Sequence, residues 1–287
     1  MVREINTSVN MAGIEFKNPI MPASGTFGSG QEYSELIDLN QLGAVVTKGV
    51  SRHPWEGNPS PRIMETSSGM INAVGLQNPG IDVFLERDIP FLKQFDTKII
   101  VNVCGNTVEE YLQVVERLSE QDVAMLEINI SCPNVEHGGI AFGQEPKMVE
   151  YITREIKKIA KQPISMKLTP NVTDITEIAK AAEYGGADVI SLINTITGMR
   201  IDVKKELSVL QTKQVAYLDP LLNPSHCEWF IKFINRWAFL LSVWAESQLL
   251  MTHWNLLWQV RQELLLEQQT LTILMLCWKS LKDYRTI

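Results

Sequence analysis

Apolar strand candidates and helical patterns alternate along the first 200 residues, and this constrains the fold more than any other feature. The strand candidates are 19–24, 44–50, 98–104, 124–131, 163–169 and 187–194. Between the later ones lie helical patterns at 108–121, 147–162 and 174–184, the first with Val108, Tyr111, Leu112, Val115 and Leu118 at helical spacing. Asp174, with Glu177 three residues on, is spaced as a capping box, and Gly185-Gly186 closes the helix it opens. Strands joined through helices by short connections imply a parallel sheet with helical cover. The expected class is α/β, and the length suits one (β/α)8 TIM barrel. Six strands can be counted, so a closed barrel lacks strands seven and eight.

Chemistry in a parallel barrel is placed where the strands end. Ser24 follows the first strand within Ala23-Ser24-Gly25-Thr26-Phe27-Gly28, and Thr47-Lys48-Gly49 ends the second. Asn102 ends the third, Asn129 and Cys132 the fourth, Lys167 the fifth, and Ile193-Asn194-Thr195 the sixth. Taken singly, each has an ordinary explanation: a tight turn at Ser24–Gly28, a solvated side chain at Lys48, a packed thiol at Cys132. Together they form a ring of amides, amines and one thiol around one mouth. Pro133 stops the fourth strand just past Cys132, because a proline inside a strand removes a ladder donor. The loop Gly69-Met70-Ile71-Asn72-Ala73-Val74-Gly75-Leu76-Gln77-Asn78-Pro79-Gly80 adds amides and glycines suited to a planar polar ligand.

Composition excludes some classes. A net charge of −7 argues against nucleic acid and acidic membranes as partners. The cysteines at 104, 132, 227 and 277 show no CxxC pair and no zinc spacing, so a reduced, cytoplasmic setting without a structural metal is expected. Cys104 is expected to be a packed thiol. The first residues have no signal-peptide pattern, and no apolar run reaches the length of a membrane span.

SGTFG, NAVGLQNPG, NISCPN, the strand-five lysine and INTITGMRID resemble class 1 dihydroorotate dehydrogenase over about residues 6–209. Cysteine rather than serine at 132 resembles the cytosolic class. GMINAVGLQNPG and NTITGMRID are more similar to the NAD-linked subclass. The resemblance implies oxidation of dihydroorotate to orotate in pyrimidine biosynthesis, with Cys132 as base. It implies FMN held by Ser24, Lys48, Gly49, Asn102, Asn129, Lys167 and Ile193. Lys48, Asn72, Ala73, Val74, Gly75, Leu76, Asn129, Asn194 and Thr195 would hold substrate. It also implies a partner subunit carrying FAD and a 2Fe-2S cluster, and a homodimer of catalytic subunits inside a heterotetramer. A dihydropyrimidine dehydrogenase domain or a tRNA-dihydrouridine synthase is the alternative within flavin barrels. Missing CxxC clusters oppose the first, and the acidic charge opposes the second.

The pattern breaks near residue 210. All 17 glycines lie at or before Gly198, and six of the seven tryptophans lie after residue 228. Losing glycine removes the residue that turns and helix ends most often use. Residues 1–210 therefore read as the barrel part, and 211–287 as a Leu-, Trp- and Gln-rich tail with helical patterns at 229–250 and 254–277. Residues 211–220, QTKQVAYLDP, can be encoded by codons that yield ANKTGGLSGP when read one nucleotide earlier. Residues 257–271 yield IMAGASGVAVGTANF by the same shift. These are the glycine-bearing segments that the resemblance places around strands seven and eight. A frameshift near residue 210 is expected, and with it the alternative of an inactive remnant.

Overall fold

The computed structural model describes residues 6–66, 69–130, 142–202, 207–208, 215–218 and 241–243. The chain opens with a hairpin of β1 (Val9–Met11) and β2 (Ile14–Phe16), turned at Ala12 and Gly13 with φ of 51° and 81°. A single helical turn, α1 (Ser24–Phe27), precedes β3 (Ala44–Val46), β4 (Ile63–Glu65) and β5 (Met70–Asn72). A helical run follows from α2 (Gly80–Val83) through a π turn at Phe84–Asp88 into α3 (Ile89–Leu92). The regular alternation then begins: β6 (Lys98–Val103), α4 (Val108–Ser119), β7 (Met125–Asn129), α5 (Pro146–Ile159), β8 (Ile164–Leu168), α6 (Ile175–Gly185) and β9 (Val189–Leu192). Short strands complete the described chain: β10 (Ile196–Gly198), β11 (Ile201–Asp202), β12 (Leu207–Ser208), β13 (Val215–Leu218) and β14 (Leu241–Val243).

Six strands form one parallel sheet in the order β14-β9-β8-β7-β6-β3. It is a half-barrel with helices outside, the architecture expected from the alternation. Five of the six expected strands are present, each shorter than expected; β3 and β6 start where expected and end early. The exception is 19–24, which carries no strand. Its tie to the sheet is a hydrogen bond from the Gly43 N–H to the Ile20 carbonyl (2.8 Å), and the chain turns helical at Ser24. A Cβ on Gly43 would stand 1.9 Å from the Asn18 carbonyl oxygen, so the segment is laid against the sheet at a glycine, without a ladder.

The tail departs from its helical reading. Leu241–Val243, inside the expected helix 229–250, is a strand parallel to β9, with Leu241 opposite Ile190 and Val243 opposite Leu192. It takes the place of a seventh strand; no eighth parallel strand occurs among the described residues. Val215–Leu218 lies inside a four-stranded antiparallel sheet, β10-β13-β5-β4. The expected segment 254–277 lies outside the described residues.

Strand alternation sorts the side chains. Val45, Ile99, Val101, Leu126, Ile128, Ile164, Met166, Ile190 and Leu192 join the cluster that includes Tyr111, Val115 and Leu118 of α4 and Ile152 and Ile156 of α5. Each such side chain contributes roughly 1.5–3 kcal/mol when fully buried. The residues between them face inward. Near the amino ends of the strands these are Ala44, Val46, Ile100, Met125 and Val189, which cluster with Met11 and Phe16 of the hairpin. The hairpin thus floors the barrel. Helix ends follow from local chemistry. Thr107 Oγ1 caps α4 by accepting from the Glu110 N–H, and Asp174 caps α6 by accepting from the Thr176 N–H. Glu177 pairs with Lys180 on the same helix. Gly186, with φ 95°, ends α6 in the left-handed conformation.

Candidate active site

Two residues above the apolar floor, the same inward faces become polar. Asn102 follows Ile100 on β6, Glu127 and Asn129 follow Met125 on β7, Lys167 follows Ser165 on β8, and Ser191 follows Val189 on β9. Register holds them level: Asn102 is opposite Glu127, Asn129 opposite Lys167, and Lys167 opposite Ser191. All are buried.

Their contacts link the tier. Asn102 Nδ2 donates to Glu127 Oε1 (2.5 Å), and Asn129 Nδ2 donates to Asn102 Oδ1 (3.3 Å). Lys167 Nζ donates to Ser24 Oγ at 3.5 Å, across 143 residues of sequence, which puts α1 at the mouth. Lys48, just past β3, donates from Nζ to the Gly25 carbonyl (3.2 Å), while its backbone N–H donates to Gly28 (2.9 Å). A Cβ at Gly49 would lie 3.1 Å from Asn102 Oδ1 and 3.2 Å from Cys104 Sγ, so glycine permits this close approach. Cys104 itself is fully buried, the packed thiol expected. Ser24, Lys48, Gly49, Asn102, Asn129 and Lys167 therefore come together as the strand ends foretold. Ile193 follows the end of β9, joined to Leu192 by a cis peptide, and is buried with the apolar cluster.

Cys132 lies outside the described residues. Both ends of its loop are described, however. The Tyr111 hydroxyl donates to the Asn129 carbonyl (2.7 Å), and the Tyr111 ring meets Phe142 edge-on, centroids 6.0 Å apart. Gly143 lies so close to Ile130 that a Cβ there would be 2.6 Å from its carbonyl oxygen. The chain thus departs and returns at one point on the mouth, held by one tyrosine.

The segments expected to hold substrate flank a common strand. Asn72 of β5 is opposite Ala216 of β13, and Thr197 of β10 is opposite the same Ala216 from the other side. That places Asn72 and Thr197 about 10 Å apart, two strand spacings. The loop is pinned along its length. The Ala73 N–H donates to Arg62 and Asn58 Nδ2 to the Ala73 carbonyl, while the Val74 carbonyl accepts from the Asn58 N–H. Gly75 and Leu76 take φ of 77° and 49°, and the value at Leu76 is rare for a side chain of that size. Asn78 holds this turn in place. Its Oδ1 accepts from the Ser51 N–H, the Ser51 hydroxyl and the Gly80 N–H, and its Nδ2 donates to the Leu76 carbonyl. On the other side, Asn171 donates to the Thr195 carbonyl (3.0 Å).

Glu127, Tyr111 and Asn171 were not among the residues expected from the sequence, and Asn78 was expected only as a loop amide suited to a ligand, not as the brace of the turn. Glu127 left a signal: it is the one acid in the apolar strand, and it shares parity with Asn129. Tyr111 read only as a helix-face residue, and its hydroxyl contact spans 18 residues.

The inward polar tier also tests for a bound ring. Lys167 is 2 % exposed, and among the described residues no carboxylate forms an ion pair with it. Burying an amine with one long hydrogen bond is costly unless a ligand compensates. Ser191 Oγ, fully buried, has no hydrogen-bond partner among the described residues. Amines, amides and an orphan hydroxyl suit a heteroaromatic ring with carbonyl and imide edges, as a flavin has. The phosphate end of such a ligand would need glycine turns, and the sequence has no glycine after Gly198.

A half-barrel with a polar tier at its carboxyl mouth defines an α/β-barrel enzyme site. The chain belongs to the dihydroorotate dehydrogenase family, whose profile, described as Dihydroorotate dehydrogenase, matches residues 6–215. It is 64 % identical over 220 residues to the protein named dihydroorotate dehydrogenase B (NAD(+)), catalytic subunit, of Lachnoclostridium phytofermentans, covering 77 % of this chain and 73 % of the relative. It is 61 % identical over 221 residues to the protein of the same name from Alkaliphilus metalliredigens, with coverage of 77 % and 73 %. Among solved structures it is similar to a dihydroorotate dehydrogenase of Eimeria tenella, with a TM-score of 0.66 and 18 % identity over 90 % of this chain and 78 % of the other, a likeness of fold alone.

Proposed function

We propose that this chain is the catalytic subunit of an NAD-linked dihydroorotate dehydrogenase, oxidising dihydroorotate to orotate in pyrimidine biosynthesis. The observation that carries the reading is Lys167, buried without an ion pair among the described residues in a tier of amides, within a chain of this family. FMN, when bound, supplies the acceptor for the hydride from C6 of the substrate. Ser24, Lys48, Gly49, Asn102, Asn129, Lys167 and Ile193 would hold it. Cys132 takes the proton from C5; a thiol has an ordinary pKa near 8.5, and a positively charged neighbourhood favours the thiolate. Lys48, Asn129, the Asn72–Leu76 loop, Asn194 and Thr195 bind the carboxylate and imide edges of the substrate. Two lysines at one mouth favour an anionic ligand and an electron-rich ring.

The electron route onward runs through a partner subunit carrying FAD and a 2Fe-2S cluster, in a cytoplasmic heterotetramer built on a homodimer of catalytic subunits. Residues 1–210 contain no GxGxxG fingerprint after a strand, which supports a separate NAD site. Among the described residues no helix is long and apolar enough to cross a membrane. Anaerobic addition of dihydroorotate to the purified subunit should bleach its flavin, and NAD should stay unreduced until the partner is added. Full NAD-linked turnover by the subunit alone would refute this division of labour.

A second reading concerns the 287-residue chain as written. The family match ends at residue 215, and glycine ends at Gly198. Both agree with a frameshift near residue 210 that leaves residues 211–287 out of frame and the product inactive. Resequencing around codon 210, with flavin absorbance of protein made in each frame, separates a working subunit from a remnant.

A further inference from the structure

We infer that Glu127 is a positioning residue that sets which way the Asn102 and Asn129 amides face; the inference rests on the flavin reading above. Glu127 is 2 % exposed and lies on the inward face, directly opposite Asn102 in the parallel ladder. Its Oε1 is 2.5 Å from Asn102 Nδ2. An amide nitrogen only donates, so this contact commits Asn102 Nδ2 to Glu127 and leaves Oδ1 as the acceptor for Asn129. Asn129 Nδ2 donates to that oxygen at 3.3 Å, which turns Asn129 Oδ1 away from Asn102. Backbone contacts brace both residues without choosing an amide orientation: the Asn102 N–H donates to Thr47 Oγ1 (3.3 Å), and the Asn129 carbonyl accepts from Tyr111. An asparagine amide rotated by half a turn fills the same space but exchanges donor for acceptor. Glu127 removes that ambiguity, since it presents only an acceptor to Asn102. One acid thereby dictates the donor and acceptor pattern that two amides show to a ring and its substrate.

The test reverses the polarity of the first link. Asn102→Asp alone sets two carboxyl groups against each other and should weaken orotate binding by about tenfold or more, the scale of a lost hydrogen bond to a charged group. Glu127→Gln alone should cost less, because Gln Oε1 still accepts. Asn102→Asp with Glu127→Gln restores a donor–acceptor pair with the opposite sense, while the aspartate still accepts from Asn129 Nδ2. The double variant should therefore recover most of the orotate and FMN affinity lost in Asn102→Asp. All three variants are close to isosteric, so folding should survive. Dissociation constants come from flavin fluorescence and the orotate-induced spectral change, in the full-length chain that retains flavin. Melting of the apoprotein supplies a readout independent of the ligand. Losses in the double variant that equal the product of the two single losses would overturn the relay and leave the flavin reading standing. A wild-type chain that retains no FMN in either frame would overturn the flavin reading and the relay together.

Discussion

The floor and the mouth of the barrel are built from the same strands, on the same inward face, two residues apart. At the floor, Ile100, Met125 and Val189 pack against Met11 and Phe16. At the mouth, Asn102, Glu127, Lys167 and Ser191 occupy the next inward positions. The floor is apolar and closed by a hairpin, so its burial stabilises the fold. The mouth buries an amine, an acid and an orphan hydroxyl, which costs stability unless a ligand offsets it. One strand thus serves stability at its amino end and chemistry at its carboxyl end.

Substitutions can break that division. The largest effect on chemistry should come from Cys132→Ala, which should slow flavin reduction by roughly 10²–10⁴-fold, the range for a positioned base, with little change in melting. An unchanged rate in stopped-flow reduction would remove Cys132 from the mechanism. Cys132→Ser should keep partial activity that rises with pH. Next, Phe16→Ala at the floor should cost about 3–5 kcal/mol in denaturant unfolding. Fitted at a temperature where the variant is folded, orotate affinity should stay near wild type; a loss of affinity without a loss of stability would invert the comparison.

Lys48→Ala and Lys167→Ala should show the opposite balance. Lys48→Ala should weaken both FMN and orotate binding, Lys167→Ala should weaken FMN binding or slow its reduction, and neither should melt much earlier than wild type without ligand. Wild-type orotate affinity in Lys48→Ala, read from the flavin spectrum, would reject its assigned place. Tyr111→Phe should be milder. It leaves the Asn129 carbonyl without its hydroxyl donor, at about 1–3 kcal/mol, and should slow flavin reduction several-fold through the loop that bears Cys132. Unchanged stability and unchanged rate together would show that the clamp is unimportant.

The smallest effect lies on the surface, away from both tiers. Asp82 bonds to Arg117 and lies 3.7 Å from Arg52, and the Arg117 hydrogen bond holds its carboxyl below the ordinary value of 3.8. A depressed carboxylate stabilises the fold above its unfolded pKa and loses that contribution as pH falls through the folded one. The Asp82→Asn penalty should thus be present at neutral pH, begin to shrink as pH falls past about 3.8, and be lost only once pH has fallen through the lower folded value. The pair is exposed, so salt should shrink the penalty too. A penalty that grows on acidification would contradict this sign.

Much of this was legible in the sequence, because parts of it are local. Apolar periodicity locates strands β3 and β6 to β9 and helices α4 to α6, since alternation and helical spacing follow from backbone geometry. Pro133 and the residues at strand ends marked the mouth for the same reason. Strands β4 and β5 were not located, and Met70–Asn72 read as loop. Local rules failed where partners decide. Segment 19–24 has a strand's composition but forms no ladder; the Gly43 N–H bonds its backbone at Ile20, and Lys167 meets the Ser24 hydroxyl. Leu241–Val243 sits in a Leu- and Trp-rich stretch that fits a helix equally well, and its strand state follows from the edge of β9. Glu127 was hidden inside an apolar run because its meaning depends on Asn102, 25 residues away.

The sequence by itself determined the layered α/β class, the family and the set of polar strand ends. Those rest on short-range spacing and residue identity. Only the tertiary structure decided which of those ends touch: Lys167 to Ser24 across 143 residues, Glu127 to Asn102 to Asn129, and the Tyr111 hydroxyl to the Asn129 carbonyl. Contacts of that kind depend on strand register, and register is set when buried faces find each other across the whole sheet.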